Sequence, residues 1–171
     1  FLEAMLAMPL PPLILDADAL NLLTELESWP SRLPAETILT PHPGEMARLC
    51  GTTPAELPNN RSALAAQKAQ EWRAVVVLKG AHTVIASPEG RVAISPFKNA
   101  ALAKGGTGDV LAGLMTGLRA QGMGAFEAAC AAVYIHGLAG EIALQNTSSR
   151  SILAGDIAAG ISAALMRIER P

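Results

Sequence analysis

Asn60-Arg61-Ser62-Ala63-Leu64-Ala65-Ala66-Gln67-Lys68-Ala69-Gln70-Glu71-Trp72-Arg73-Ala74-Val75-Val76-Val77-Leu78-Lys79-Gly80 decides the fold. Asn60 to Arg73 is dominated by Ala, Gln, Lys and Glu, with Ala63, Leu64 and Ala69 among its apolar positions, and predicts a helix. Ala74 to Leu78 has no polar interruption, so it predicts a strand buried on both faces. Lys79-Gly80 closes it. Upstream, Thr37-Ile38-Leu39-Thr40 closed by Pro41-His42-Pro43-Gly44 reads the same way. So does Pro12 to Leu20, a short apolar run that ends in the carboxylates Asp16 and Asp18. Strand, helix and strand in alternation predict βαβ units and a parallel sheet.

Downstream of Gly80 the pattern changes. Thr83 to Ser87 and Arg91 to Ser95 flank Pro88-Glu89-Gly90, which predicts an antiparallel hairpin over 83–95. Helices follow at about Asp109–Gln121, Ala125–Leu144 and Gly155–Ile168. Alanines at 125, 128, 129, 132 and 143, and at 158, 159, 163 and 164, predict close-packing core faces. The fold class is therefore α/β: a mostly parallel sheet flanked by helices, with one antiparallel hairpin.

Composition excludes several classes. Half of the 171 residues are hydrophobic but only 4% are aromatic, so the core must be aliphatic, as in helices packed on a parallel sheet. A net charge of −2 provides no basic field for nucleic acid or for a membrane surface. Met123 to Leu144 is the longest apolar stretch, but Glu127, His136 and Glu141 within it argue against a bilayer span. Cys50 and Cys130 are too few and too isolated for a disulfide framework or a zinc site, which suits reduced, mostly buried thiols and a cytoplasmic protein.

The chemistry centres on Asn99-Ala100-Ala101-Leu102-Ala103-Lys104-Gly105-Gly106-Thr107-Gly108-Asp109-Val110-Leu111-Ala112-Gly113. Gly105, Gly106, Thr107 and Gly108 stand directly before an apolar helix, whose free N–H groups and positive dipole end attract anions, phosphate above all. The order of residues is not that of a Walker loop. Asp109 reads either as a helix cap or as a carboxylate beside bound phosphate, able to accept a proton from a substrate hydroxyl. Ligands of open α/β sheets bind beyond the carboxyl ends of the strands. Asp16 and Asp18, His42, and Lys79-Gly80 all sit at such ends. Each also has a bland reading: a cap for Asp18, a turn histidine bound to backbone for His42, a solvated amine for Lys79, an N-terminal helix charge for Glu45. Trp29, Trp72 and His136 carry no pattern and read as structural.

Four ordered motifs then resemble a known family. Asp-Ala-Asp-Ala-Leu-Asn (16–21), Thr-Pro-His-Pro-Gly-Glu (40–45), Leu-Lys-Gly-Ala-His-Thr (78–83) and Gly-Gly-Thr-Gly-Asp-Val-Leu-Ala-Gly (105–113) look like those of the ADP/ATP-dependent NAD(P)H-hydrate dehydratases. The resemblance implies a ribokinase-like fold and a metabolite-repair lyase, which removes water from hydrated NADH or NADPH at the expense of ADP or ATP, with Mg²⁺. It places His42 and Asp109 on the hydrated cofactor, with Asp109 as catalytic base. It places Lys79, Gly80, Ala81, His82, Thr83 and the loop Gly105, Gly106, Thr107 and Gly108 on the nucleotide; Asn99 is a weaker candidate. It implies a homo-oligomer, commonly a tetramer. By the same resemblance residues 1–171 form the C-terminal two-thirds of one domain, without its N-terminal third and with a complete C-terminus. Two rivals share the glycine loop and aspartate: a small-molecule kinase of the hydroxyethylthiazole or pyridoxal type, and an inert nucleotide-binding module. Thr-Pro-His-Pro-Gly-Glu favours the dehydratase.

Overall fold

The computed structural model describes residues 1–170. Five strands form one sheet in the order β1 (Ile14–Leu15), β2 (Ile38–Leu39), β3 (Val75–Leu78), β4 (Val84–Ala86), β5 (Val92–Ile94). β1, β2 and β3 are parallel, while β3, β4 and β5 are antiparallel, as the valine run and the Pro88-Glu89-Gly90 turn predict. The helices are α1 (Leu2–Leu6), α2 (Asp18–Leu23), α3 (Pro43–Leu49), α4 (Arg61–Trp72), α5 (Thr107–Ala120), α6 (Ala125–Asn146) and α7 (Ala154–Glu169).

Alternation along each strand sorts the core into two layers. Leu39, Val76, Leu78 and Val84 face one way, onto α2, α3 and α4, where Trp29 and Trp72 pack with ring centroids 5.1 Å apart and planes tilted by 53°. Ile38, Val75, Val77 and Ile85 face the other way, onto α5 and α6. Both faces of β3 are covered, which is why all four of its residues are buried and none is polar. Cys50 and Cys130 are half-buried free thiols, and burial pushes both upward in pKa.

α6 is long and apolar enough to cross a bilayer by length and composition alone. In the fold it is a core helix, with Ala128, Ala129, Ala132, Ile135, His136 and Ala139 buried. α7 is the outermost helix and buries only Ile157, Gly160 and Ala164. The expected alanine-rich core face is thus correct for α6 and incorrect for Ala158, Ala159 and Ala163, which are exposed because α7 has a neighbour on one side only. Gly160 is the contact point: a Cβ there would stand 2.9 Å from the carbonyl oxygen of Ala139. A backbone atom cannot swing aside, so Gly160→Ala is expected to force the two helices apart. The expected cost is about 1–2 kcal/mol in urea unfolding.

Several element edges differ from expectation. α5 begins at Thr107 rather than Asp109, because Gly106 at φ +84° supplies the left-handed turn that starts it. Asp18 is not at a strand end but in the first turn of α2, exposed, with β1 already finished at Leu15. Ala63 points outward from α4, while Leu64 and Ala69 point in.

Candidate active site at the carboxyl ends of the parallel strands

The ends of β1, β2 and β3 lie side by side. The backbone N–H of Lys79 donates to Pro41 and that of Thr40 to Leu15, so Asp16, His42 and Lys79 are held along one rim. Lys79 Nζ donates to Asp16 Oδ1 at 2.5 Å and lies 3.8 Å from Glu45 Oε2. Glu45 is buried, so it is more than a solvated helix charge. A Cβ on Gly108 would come within 3.3 Å of Asp16 Oδ2 and 3.6 Å of Lys79 Nζ. The amine of Lys79 and the N-terminus of α5 therefore converge on one point, both positive. The Asp16 carboxylate sits between them and supplies the negative charge that each attracts.

His42 is bound to backbone, as its bland reading has it, and also borders a cavity. Its Nδ1 accepts the backbone N–H groups of Gly44 and Glu45 at 3.0 and 3.2 Å, while Glu45 Oε2 accepts from the His42 N–H at 2.7 Å, a capping box that starts α3. An Nδ1 that accepts leaves the proton on Nε2, which lies 3.3 Å from Glu45 Oε1. The exposed half of the ring faces a cavity of about 600 Å³.

That cavity gathers most of the residues singled out from the sequence. His42, Lys79, Gly80, Ala81, Thr83, Asn99, Thr107 and Gly108 line it. Lys98 and Lys104 add two cations, and among the described residues no carboxylate belongs to its wall. Phe97, Leu102, Leu111 and Val133 make its apolar side. This is the composition of a site for a flat apolar group joined to an anion. The Thr107 hydroxyl donates to the carbonyls of Leu102 and Lys104, both at 2.8 Å, and so fixes the loop.

Other expected residues lie outside the wall. His82 turns away at φ +53°, its N–H donating to Phe97 and its Nδ1 lying 3.1 Å from the Ser95 carbonyl oxygen, while Ala81 and Thr83 on either side of it belong to the lining. Gly105 and Gly106 shape the turn behind Thr107 rather than the lining. Asp109 is exposed in the first turn of α5, outside the lining, its Oδ2 3.9 Å from the position a Gly106 Cβ would take.

Two further residues have roles that no motif announced. Arg61, from α4, donates to the carbonyls of Ala81 (2.6 Å), Leu78 (2.8 Å) and Lys79 (3.0 Å), clamping the loop after β3. His136, read as merely structural, lines the cavity and is only 5% exposed.

Comparison with known proteins shows the family. A family described as NAD(P)H-hydrate dehydratase matches residues 1–163. The chain belongs to that family. It is 47% identical over 146 residues to a bifunctional NAD(P)H-hydrate repair enzyme of Moorella thermoacetica, covering 85% of this chain and 28% of that one. It is 44% identical over 150 residues to an ADP-dependent (S)-NAD(P)H-hydrate dehydratase of Neisseria meningitidis, covering 86% of this chain and 51% of that one. A dehydratase of Bacillus subtilis, crystallised with ATP and Mg²⁺, superposes with a TM-score of 0.80 at 38% identity over 91% of this chain and 56% of its own. The fold is ribokinase-like. The chain spans about half the length of the dehydratases it matches, and a smaller share of the bifunctional enzyme.

Proposed function

We propose that this chain acts in the dehydration of hydrated NADH and NADPH, driven by ADP or ATP. The observation that carries the reading is the convergence of Lys79 and the start of α5 on Gly108, at one end of a cavity whose other side is apolar. The α5 amides and the three lysines of the wall hold the phosphates of the nucleotide. His42 meets the hydrated cofactor at the rim. Asp109, outside the nucleotide cavity and beside its phosphate end, takes the proton of the ring hydroxyl, and the freed oxygen attacks the terminal phosphorus, breaking its bridging P–O bond and releasing AMP from ADP or ADP from ATP. The phosphorylated oxygen is a good leaving group: the ring nitrogen lone pair expels it as inorganic phosphate, giving an iminium, and loss of a proton from the neighbouring ring carbon restores the dihydronicotinamide.

Mg²⁺ fits the donor set in a limited way. Among the described residues no three acidic, histidine or cysteine side chains converge, as a protein-built cage would need. Asp16 and Glu45 flank Lys79 at the phosphate end, and one or two carboxylates plus phosphate oxygens are what Mg²⁺ commonly takes. Bound there, it would offset phosphate charge.

The test is an assay of NADPH absorbance after mixing NADPH hydrate, Mg²⁺ and ADP or ATP with the 171-residue chain, and with the natural polypeptide that carries it. Recovery that requires nucleotide supports the reading and identifies the preferred nucleotide. Accumulation of a stable phosphorylated product points to a kinase instead, and nucleotide binding without turnover in either sample points to an inert binding module.

Lys79→Met is expected to weaken ADP binding about tenfold or more, since a charge-assisted hydrogen bond to phosphate is worth roughly 1.5–3 kcal/mol. It also leaves Asp16 and Glu45 without their shared cation. Calorimetric titration with ADP checks the first effect. Adding Asp16→Asn, which relieves the stranded charge, should recover stability lost to Lys79→Met without recovering the affinity.

A further inference from the structure

Arg61 opens α4, and nothing about that position favours a cation. The first turn of a helix presents free N–H groups and the positive end of the dipole, which attract acids and repel a guanidinium. Among the described residues no carboxylate lies within salt-bridge distance of Arg61 either. Its donors go instead to three carbonyl oxygens of one turn: Nη1 to Ala81 at 2.6 Å, Nη2 to Leu78 at 2.8 Å and to Lys79 at 3.0 Å. Arg61 stands behind the cavity wall, while Lys79, Gly80 and Ala81 are part of it.

The turn is one that has to be held. Gly80, at its centre, has φ +144°, a backbone conformation that L side chains rarely adopt. A Cβ there would stand 3.0 Å from Arg61 Nη2 and 3.5 Å from Cζ and Nη1, so the guanidinium packs where a side chain would otherwise be. A peptide unit is planar and trans, so a carbonyl aimed at Arg61 sends the N–H of the next residue the opposite way. The Leu78 carbonyl thus orients the Lys79 N–H, which donates to Pro41 at 2.8 Å and ties the turn to the residue before His42. The Ala81 carbonyl orients the His82 N–H, which donates to Phe97 at 3.0 Å. The Lys79 carbonyl turns the Gly80 N–H away from Arg61. One side chain outside the cavity sets three peptide planes along its wall.

We infer that Arg61 is a positioning residue for the nucleotide: its planar fork holds the Lys79-Gly80-Ala81 turn in the conformation that receives the ligand, so that binding does not have to order it. The inference rests on the nucleotide reading of the cavity. Lysine cannot substitute, because one ammonium lacks the fixed fork that meets carbonyls on two separate nitrogens.

Calorimetric titration with ADP tests it in the natural polypeptide that carries the chain, beside urea unfolding of the same samples without nucleotide. Arg61→Met should lower ADP affinity about tenfold, the equivalent of ordering about one backbone residue. Its kcat at saturating nucleotide should stay within about threefold, because the loss lies in binding. Arg61→Lys keeps the charge and the aliphatic stem and should lose most of the same affinity, at high salt as at low. Gly80→Ala should weaken ADP as well. Combined with Arg61→Met it should lose much less than the product of the two single losses, since both act on one turn. Variants that are less stable in urea yet bind ADP as the unmodified chain does would reduce Arg61 to a fastener of α4 and overturn the inference. Full affinity in Arg61→Lys, with a salt-dependent loss in Arg61→Met, would mark simple charge attraction and overturn it too. So would independent losses in the double variant. Each of these results leaves the nucleotide reading intact. No ADP binding by the unmodified polypeptide would overturn that reading, and this inference with it.

Discussion

Asp109→Asn is expected to slow nucleotide-dependent dehydration about 10²-fold or more while leaving ADP affinity within about threefold. The substitution keeps shape and hydrogen-bonding length and removes only the ability to hold a proton. Asp109 is exposed and lies outside the nucleotide cavity, so its loss should not disturb the binding of ADP. Its carboxylate contributes a favourable charge to the first turn of α5, an effect of only about 0.3–1 kcal/mol on stability. The two measurements, steady-state rate and calorimetric affinity, therefore separate a base from a binding group. Full activity in the variant would remove Asp109 from the chemistry. Equal collapse of rate and affinity would make it part of the nucleotide site instead. Because the reaction needs the proton removed before the oxygen can attack phosphorus, the loss should appear in kcat and shrink as pH rises toward values at which solvent can deprotonate the hydroxyl.

The sheet was legible because its residues have only one physical use. Val75 to Leu78 is covered on both faces, and such a strand cannot contain a polar residue. The hairpin was legible from its turn chemistry, with Gly90 at φ +90°. Helix starts were less so: an aspartate after glycines looks like a cap, yet Gly106 caps α5 through its backbone and pushes Asp109 two residues inward. His42, Lys79 and Gly108 were legible as strand-end and loop residues, because the topology brings the strand ends together. The contacts of Arg61 span 17 to 20 residues of sequence and end on carbonyl oxygens, which leave no trace in the identity of the residues that carry them. His136 had a weak signal: it is an ionisable group in an alanine-rich helix, on the face that buries Ala132, Ala139 and Ala143. That position demands either a partner or a ligand, and the sequence cannot say which.

His136 also predicts how stability responds to acid. In the unfolded chain an imidazole titrates near 6.5, and in the fold burial lowers His136 to about 4. Between those values the unfolded state binds a proton that the folded state refuses. The stability held above pH 6.5 is therefore lost as pH falls, and the loss is complete near pH 4. A shift of this size corresponds to about 3 kcal/mol, and His136 is sufficiently buried that solvent screening takes little of it. Glu56, held down to about 2 by the Thr52 and Thr53 hydroxyls and the Thr53 N–H, is fully exposed and acts from its ordinary carboxylate pKa of about 4.5 downward, so it overlaps only the acid end of this window. Urea unfolding at pH 7, 5.5 and 4.5 should thus show a steep decline in the unmodified chain and a much flatter one in His136→Phe, which cannot take up the proton. The difference between the two curves isolates the histidine from every carboxylate that titrates alongside it. Parallel curves would mean that the imidazole is charged, or hydrated, inside the fold.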